Sequence, residues 1–222
     1  RHRRAPVIFE GKEGGLVIRY VPVVSGESLA HAYQEILAKI CLKRGLKVCG
    51  RCIAGEFTKH ADENMFANEP WEEKFLNLSK EKKFDEAERL LIENCVVEDV
   101  GGFLYAGRVG NPVKRTSRVQ FGYMIPALDA LKEGGAATEP QFHARHVPTA
   151  PERRMQMIYY VETGSALYTY SAALDVSGIG KTSFIGDTSL NDREQRIKVA
   201  MDALMVHTCN ALFGAKRSRF MP

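Results

Sequence analysis

Residues 175–184 read DVSGIGKTSF, and the run GIGKT inside them has the form of the end of a phosphate-binding loop. In such a loop backbone N–H groups cradle phosphates, the Lys reaches the outer phosphates and the Thr hydroxyl holds magnesium. Lys181 and Thr182 have the right types. The full pattern also needs a Gly where Asp175 stands, so a carboxylate blocks the path of phosphate. A working loop opens a helix whose N-terminus adds positive charge. Here SFIGDTSLND follows, with Gly186, Asp187, Thr188, Asn191 and Asp192. That composition predicts an extended Gly/Ser/Thr loop after a strand, not an ATPase.

Cys49 and Cys52 frame a CxxC. A structural zinc site needs four ligands, usually with a second such pair. Cys41, His60, Cys95 and Cys209 lie at no standard spacing from it, so a local disulfide or free thiols are expected, and no metal or cofactor. A thioredoxin-like redox role needs a βαβ context that the pattern lacks. His143 and Arg145, in HARH, share one face of a strand by its period of two. The pair could contact phosphates or stack on bases. The nearest upstream acid is Glu139 and none follows closely, so no carboxylate orients the histidine as a base. The plain alternative is a polar strand face. Ser25 and Gly26 at a helix start offer N–H groups to an anion, as most helix starts do. Lys216, Arg217, Ser218 and Arg219 follow the helix-ending Gly214, with Phe220 beside them for stacking. Such a loop could track a nucleic-acid backbone; otherwise it is an exposed tail.

Elements must hold these groups. GLVIRYVPVV, residues 15–24, is β-branched and predicts a strand. In the next stretch Leu29, Tyr33, Ile36, Leu37 and Ile40 recur at helical spacing, with Ser25 as N-cap and Gly45 as stop. His31, Gln34 and Glu35 fall away from the centre of that stripe. Residues 49–69 are irregular, and Trp71 begins a mostly helical, acidic run broken at Gly101 and Gly102. VKRTSRVQFGYMIPAL alternates as a strand, PQFHARHVP is a short strand, and residues 154–176 form a strand pair bent near Gly164. A long helix runs from Asn191 to near Gly214. Helices between groups of antiparallel-looking strands predict an α+β fold, with the order of a βαββαβ unit short of one strand at the front.

With 222 residues and 45% hydrophobic content, the chain reads as one domain with insertions, the helical one spanning about 46–100. No window approaches the ~18 apolar residues of a membrane span. The five Cys form no even framework, which points to a cytoplasmic protein. The start, RHRRAP, has neither Met nor an apolar run, so a mid-chain beginning is expected. The net charge of +4 conceals a division: residues 56–99 carry −7, and the remainder +11. The positive charge lies in short clusters beside Gly, Ser and Thr, which suits a polyanion.

Together, VPVVSGESLAHAYQ, VEDVGGFLYAG, VKRTSRVQFGYMIPAL, EPQFHAR and FGAKRSRFMP, in that order, resemble the backbone subunit of the archaeal type I CRISPR interference complex (Cascade), in the DevR-like branch of the RAMP superfamily. The similarity runs from about Val7 to Pro222. It implies an RRM-like (ferredoxin-like) antiparallel sheet core with helical and hairpin insertions, and copies polymerised along CRISPR RNA in a helical filament. Each copy would grip phosphates and leave bases free to pair with target DNA, beside other Cascade subunits. It implies no enzyme, although a metal-dependent or processing ribonuclease of the same superfamily is the alternative, with Asp62 and Glu63, or His31 and Tyr33, to be considered. The family has a further N-terminal strand and a C-terminal segment that this sequence lacks, so a fragment is expected. By motif the RNA-binding residues would be Ser25, Gly26, His31, Gln34, Lys114, Arg115, Ser117, Arg118, His143, Arg145, Lys216, Arg217, Ser218 and Arg219. Aromatic platforms are not obvious in the sequence, which favours gripping of the backbone over reading of bases.

Overall fold

The apolar stripe of the first long helix closes over one large core, and most other elements follow from what that core accepts. The computed structural model describes residues 3–66, 68–132, 138–146, 156–164, 166–184, 186, 188–210, 212–213 and 218–219. In chain order it contains β1 (Arg4–Glu10), β2 (Leu16–Pro22), α1 (Gly26–Lys43), α2 (Gly50–Ile53), α3 (Glu72–Lys80), α4 (Phe84–Asn94) and α5 (Val96–Gly101). Next come β3 (Phe103–Tyr105), β4 (Val113–Arg115), β5 (Val119–Phe121), β6 (Ile125–Pro126), α6 (Leu128–Lys132), β7 (Thr138–His146) and β8 (Gln156–Gly164). The chain continues through β9 (Tyr168–Thr169), β10 (Ala172–Leu174), α7 (Arg193–Asn210), β11 (Leu212–Phe213) and β12 (Ser218–Arg219). This is an α+β chain whose sheets, among the described residues, are antiparallel pairs.

The chain divides into two compact units. One comprises residues 1–26 and 122–171. Its β1–β2 hairpin pairs Arg4 with Pro22 through Glu10 with Leu16. The turn uses Gly14 and Gly15 at φ of 81° and 83°, a conformation that favours glycine. β1, in RAPVIFE, is a strand the sequence reading left out. Phe9, Val21, Val23 and Leu131 form this unit's small core. β7 pairs with β8 over nine residues, from Thr138–Gly164 to His146–Gln156, as a long hairpin.

The other unit comprises residues 27–121 and 172–222 and holds the main core. Leu29, Tyr33 and Leu37 of α1 are fully buried, as their spacing predicts. Gly45 adopts φ 71° where α1 stops. Phe66, Trp71, Phe75, Leu91, Ile92 and Val96–Val97 pack with Tyr33 and Leu37 and with Val199, Ala200 and Ala203 of α7. At the end of α5, Gly102 has φ 69°, and a Cβ there would lie 2.6 Å from the Arg115 carbonyl and 2.5 Å from the Ser117 nitrogen. Only glycine lets α5 approach the β4–β5 turn so closely.

Candidate nucleic-acid interface

The GIGKT loop folds onto carboxylates of its own chain. Asp175 caps a 3-10 turn, Val176–Gly178, accepting from the Gly178 N–H at 3.2 Å. The Ser177 hydroxyl and the Arg118 guanidinium join that N–H and hold the Asp175 carboxyl below the usual carboxylate range. Gly180, at φ 68°, directs its N–H to Asp99, 3.0 and 3.2 Å from the two carboxylate oxygens. The Ser183 N–H and hydroxyl donate to Glu88 at 2.9 and 2.8 Å. The donors that would cradle a phosphate thus hold Asp99 and Glu88, while Lys181 bridges to Ser189 instead of opening a helix. The segment is the extended loop expected and lacks the geometry of an ATPase loop.

The same carboxylates remove Arg115 from the RNA-binding set. In β4, Val113 and Arg115 face inward and Lys114 outward. Arg115 is 3% exposed, and each of its five donors has an acceptor. Nε bonds the Asp99 carbonyl at 2.8 Å. One terminal nitrogen bonds Glu88 at 2.6 Å and the Lys181 carbonyl at 2.7 Å; the other bonds the Asp99 carboxylate and the Gly178 carbonyl at 2.9 Å. Arg196 of α7, 1% exposed, reaches Asp99 at 3.1 Å. Burial pushes the Asp99 carboxyl up, and the two guanidinium groups and the Gly180 N–H pull it back. Arg115 therefore locks α4, α5 and the 176–183 loop together and has no donor left for a phosphate.

The other candidates separate into accessible and committed groups. His31 is exposed on α1, its ring edge-on to Phe57 at 4.9 Å. Gln34, 6% exposed, donates to the Ala30 carbonyl at 3.0 Å and accepts from Lys59, which also bonds the Gly101 carbonyl at 3.3 Å. Gln34 thus positions a cation, Lys59, that the sequence reading did not select. Ser25 is buried before α1 and Gly26 opens the helix. Lys114 is exposed opposite Leu104. Ser117 makes a local turn, its hydroxyl 2.6 Å from the Val119 carbonyl. Arg118 bonds Asp175 at 3.1 Å and Ser183 at 3.3 Å, with 16% of its side chain exposed.

In the other unit, His143 stacks on its cross-strand partner Tyr159, with ring centroids 5.4 Å apart and planes 13° from parallel. Arg145 lies in β7 opposite Met157. Phe142 and Tyr160 meet edge to face at 5.7 Å and are 59% and 68% exposed. The β7–β8 hairpin thus carries exposed aromatic pairs that were not obvious in the sequence, of a kind that bases can stack on. Ser218 and Arg219 lie in β12, opposite Phe213 and Leu212. Lys216, Arg217 and Phe220 fall outside the described residues.

The five cysteines are free thiols, four of them buried. Cys49, Cys52 and Cys95 bring their sulfurs within 4.8 Å of one another, and Cys49, His60 and Glu98 form a second such group. Burial pushes the Cys95 thiol up to about 11 and the Cys41 thiol up to about 12. Of the residues considered for nuclease chemistry, His31 is exposed, and the other three each hold a hydrogen bond. Asp62 accepts from the Asn64 N–H at 2.8 Å, and Glu63 from the Arg108 N–H at 3.1 Å. Tyr33 is fully buried, its hydroxyl on the Ala200 carbonyl at 2.9 Å.

Residues 1–222 match the family described as CRISPR-associated negative auto-regulator DevR/Csa2. The chain belongs to the DevR/Csa2 family. A relative from Saccharolobus solfataricus, CRISPR-associated aCascade subunit Cas7/Csa2 2, is 42% identical over 231 aligned residues, covering 100% of this chain and 68% of the relative. CRISPR-associated protein Cas7/Csa2 1, from the same organism, is 35% identical over 227 residues, covering 100% and 67%. Among solved structures, Thermofilum pendens Csc2 aligns with a TM-score of 0.33 and 12% identity, over 83% of this chain and 55% of that one. This DevR/Csa2 chain thus spans about two thirds of the length of its two relatives. Lys59, Tyr159 and Tyr160 lie in no motif quoted from the sequence, and Phe142 lies in one, EPQFHAR, without being singled out. Only pairing across β7 and β8, or the turn after α2, reveals them.

Proposed function

We propose that this chain is a backbone subunit of a Cascade-type CRISPR interference complex, binding CRISPR RNA by its phosphates without regard to sequence. The observation that carries this reading is the match of the entire chain to its family, together with a relative, 42% identical over that length, named as an aCascade subunit. An RRM-like core with insertions, cytoplasmic location, assembly with other copies and other Cascade subunits, and contact with target DNA through guide pairing belong to the same proposal. The RNA-binding set is Ser25, Gly26, His31, Gln34, Lys114, Ser117, Arg118, His143, Arg145, Lys216, Arg217, Ser218 and Arg219, without Arg115.

Physical features support it. Lys114 and His31 are exposed, and Arg118 is partly so, beside loops rich in small residues. Phosphate contacts of this kind position a strand without choosing its bases. The β1–β2 hairpin shows solvent Ile8, Leu16, Ile18 and Tyr20, each more than 60% exposed. An apolar strip of that kind marks a protein-binding surface and suits packing against another copy. Labelled RNA incubated with the chain and magnesium or manganese separates binder from ribonuclease. A shifted, intact band is expected; cleavage products that vanish with a carboxylate or histidine substitution would assign the enzyme instead.

A further inference from the structure

Three short segments converge on a dry sulfur and nitrogen cluster in the larger unit. Cys49 precedes α2, Cys52 lies within it, and Cys95 sits at the junction of α4 and α5. His60 comes from the turn after α2, and Glu98 from α5. All five are at most 2% exposed. The His60 ring is walled by Phe66 at 4.9 Å and Trp71 at 5.5 Å, so no bulk water reaches it. Its Nδ1 lies 3.3 Å from Glu98 Oε1, yet neither ring nitrogen makes a hydrogen bond, nor does Glu98 Oε2. A buried imidazole without hydrogen bonds requires a reason. His60 and Lys59 also hold φ of 47° and 60°, the left-handed region that residues other than glycine avoid. Such strain persists where the surroundings over-determine it, often at ligand clamps.

We propose that Cys49, Cys52, Cys95 and His60 bind a structural zinc ion that ties α2 and the following turn to the α4–α5 junction. Three thiolates and one imidazole are a closed tetrahedral zinc set, and soft sulfur donors select zinc over magnesium or calcium. Zn–S bonds of about 2.3 Å imply ligand separations of roughly 3.8 Å. The three sulfurs already lie within 4.8 Å of one another and His60 within 4.8 Å of the Cys49 sulfur, so closing the set asks the imidazole to move toward Cys52 and Cys95. Glu98 Oε1, 3.3 Å from Nδ1, stands where it would accept the Nδ1–H once the ring turns to the metal, which leaves Nε2 for zinc. On binding, each thiol releases its proton to solvent and no redox step occurs. The spacing hides this set because two ligands, His60 and Cys95, reach the CxxC only through the packing of α2 on α5. The proposal is independent of the RNA-binding reading.

The test is metal content and thiol state of the folded chain, purified without chelator. Plasma mass spectrometry should find about one zinc per chain, and a strong chelator should remove it with a fall in melting temperature. C95S and H60Q should lose most of the zinc, whereas C41S, at a buried thiol outside the group, should keep it. If C95S does not fold, wild type loaded with cobalt decides the matter. Intense visible bands with sulfur charge transfer support a tetrahedral thiolate site, and weak octahedral bands overturn it. Folded wild type that takes up no zinc when zinc is supplied, or a Cys49–Cys52 disulfide found by mass spectrometry, would also overturn the proposal.

Discussion

Replacing Arg115 by Met removes a buried guanidinium but keeps much of its length. Glu88 is then left with the Ser183 donors, and Asp99 with Arg196 and the Gly180 N–H. Removing one member of a buried ion pair costs about 3–5 kcal/mol, because the other charge stays uncompensated. The surviving partners place this case near 3 kcal/mol. For a chain of this size each kcal/mol moves the melting temperature by about 2–4 °C, so a drop of roughly 6–12 °C is expected. Adding Glu88→Met should restore part of the loss, since an apolar replacement leaves one fewer buried charge. Denaturant unfolding measures the stability, and fluorescence anisotropy with labelled single-stranded RNA measures affinity in the folded fraction. The neighbouring Lys114→Ala should behave in the opposite way, with unchanged stability and weaker RNA binding. Unchanged melting in the Arg115 variant, with RNA affinity lost, would refute the assignment of Arg115 to the interior and return it to the interface.

Lys181→Ala should leave folding intact and reveal no nucleotide binding to lose, because that loop's phosphate-type donors are occupied by Asp99 and Glu88; isothermal titration with ATP checks it. His143→Ala combined with Arg145→Ala should weaken RNA binding by about 2–4 kcal/mol, taking charge-assisted bonds at roughly 1.5–3 each. Melting should barely change, since His143 stacks on a solvent-facing hairpin; a large melting drop with normal affinity would remove the pair from the interface. His207 is buried with Nε2 3.1 Å from the Leu29 carbonyl, and burial holds its pKa below the usual 6.5. The unfolded chain therefore takes up the proton first. The stability that the neutral ring contributes is complete above about pH 6.5 and is lost as pH falls through the lower folded value, by at most about 1.4 kcal/mol per pH unit. Urea titrations from pH 7.5 to 5 should show this slope in wild type and a shallower one in His207→Gln.

What the sequence disclosed was local. The stripe of Leu29, Tyr33 and Leu37 marked a buried helix face because its period is written in adjacent turns. The acidic residues after Trp71 announced helices α3 to α5, and Asp175 correctly argued against a phosphate loop. What stayed hidden depends on distant pairing. Arg115 sits in a basic run and has the pattern of a surface cation; its burial rests on Glu88, Asp99 and the 176–183 loop, which meet it only in the fold. Phe142 and Tyr160 become one aromatic pair through the β7–β8 register. β1 went unread because Arg4 and Pro6 dilute a short apolar alternation that is legible only against β2.

The central claim, that RNA is gripped through phosphates without choice of sequence, is tested most directly by the salt dependence of binding to two unrelated single-stranded RNAs of equal length. The account predicts indistinguishable affinities and parallel log–log plots whose slope is about −0.7 for each phosphate contacted. Strong preference for one sequence, or an affinity indifferent to salt, would contradict it.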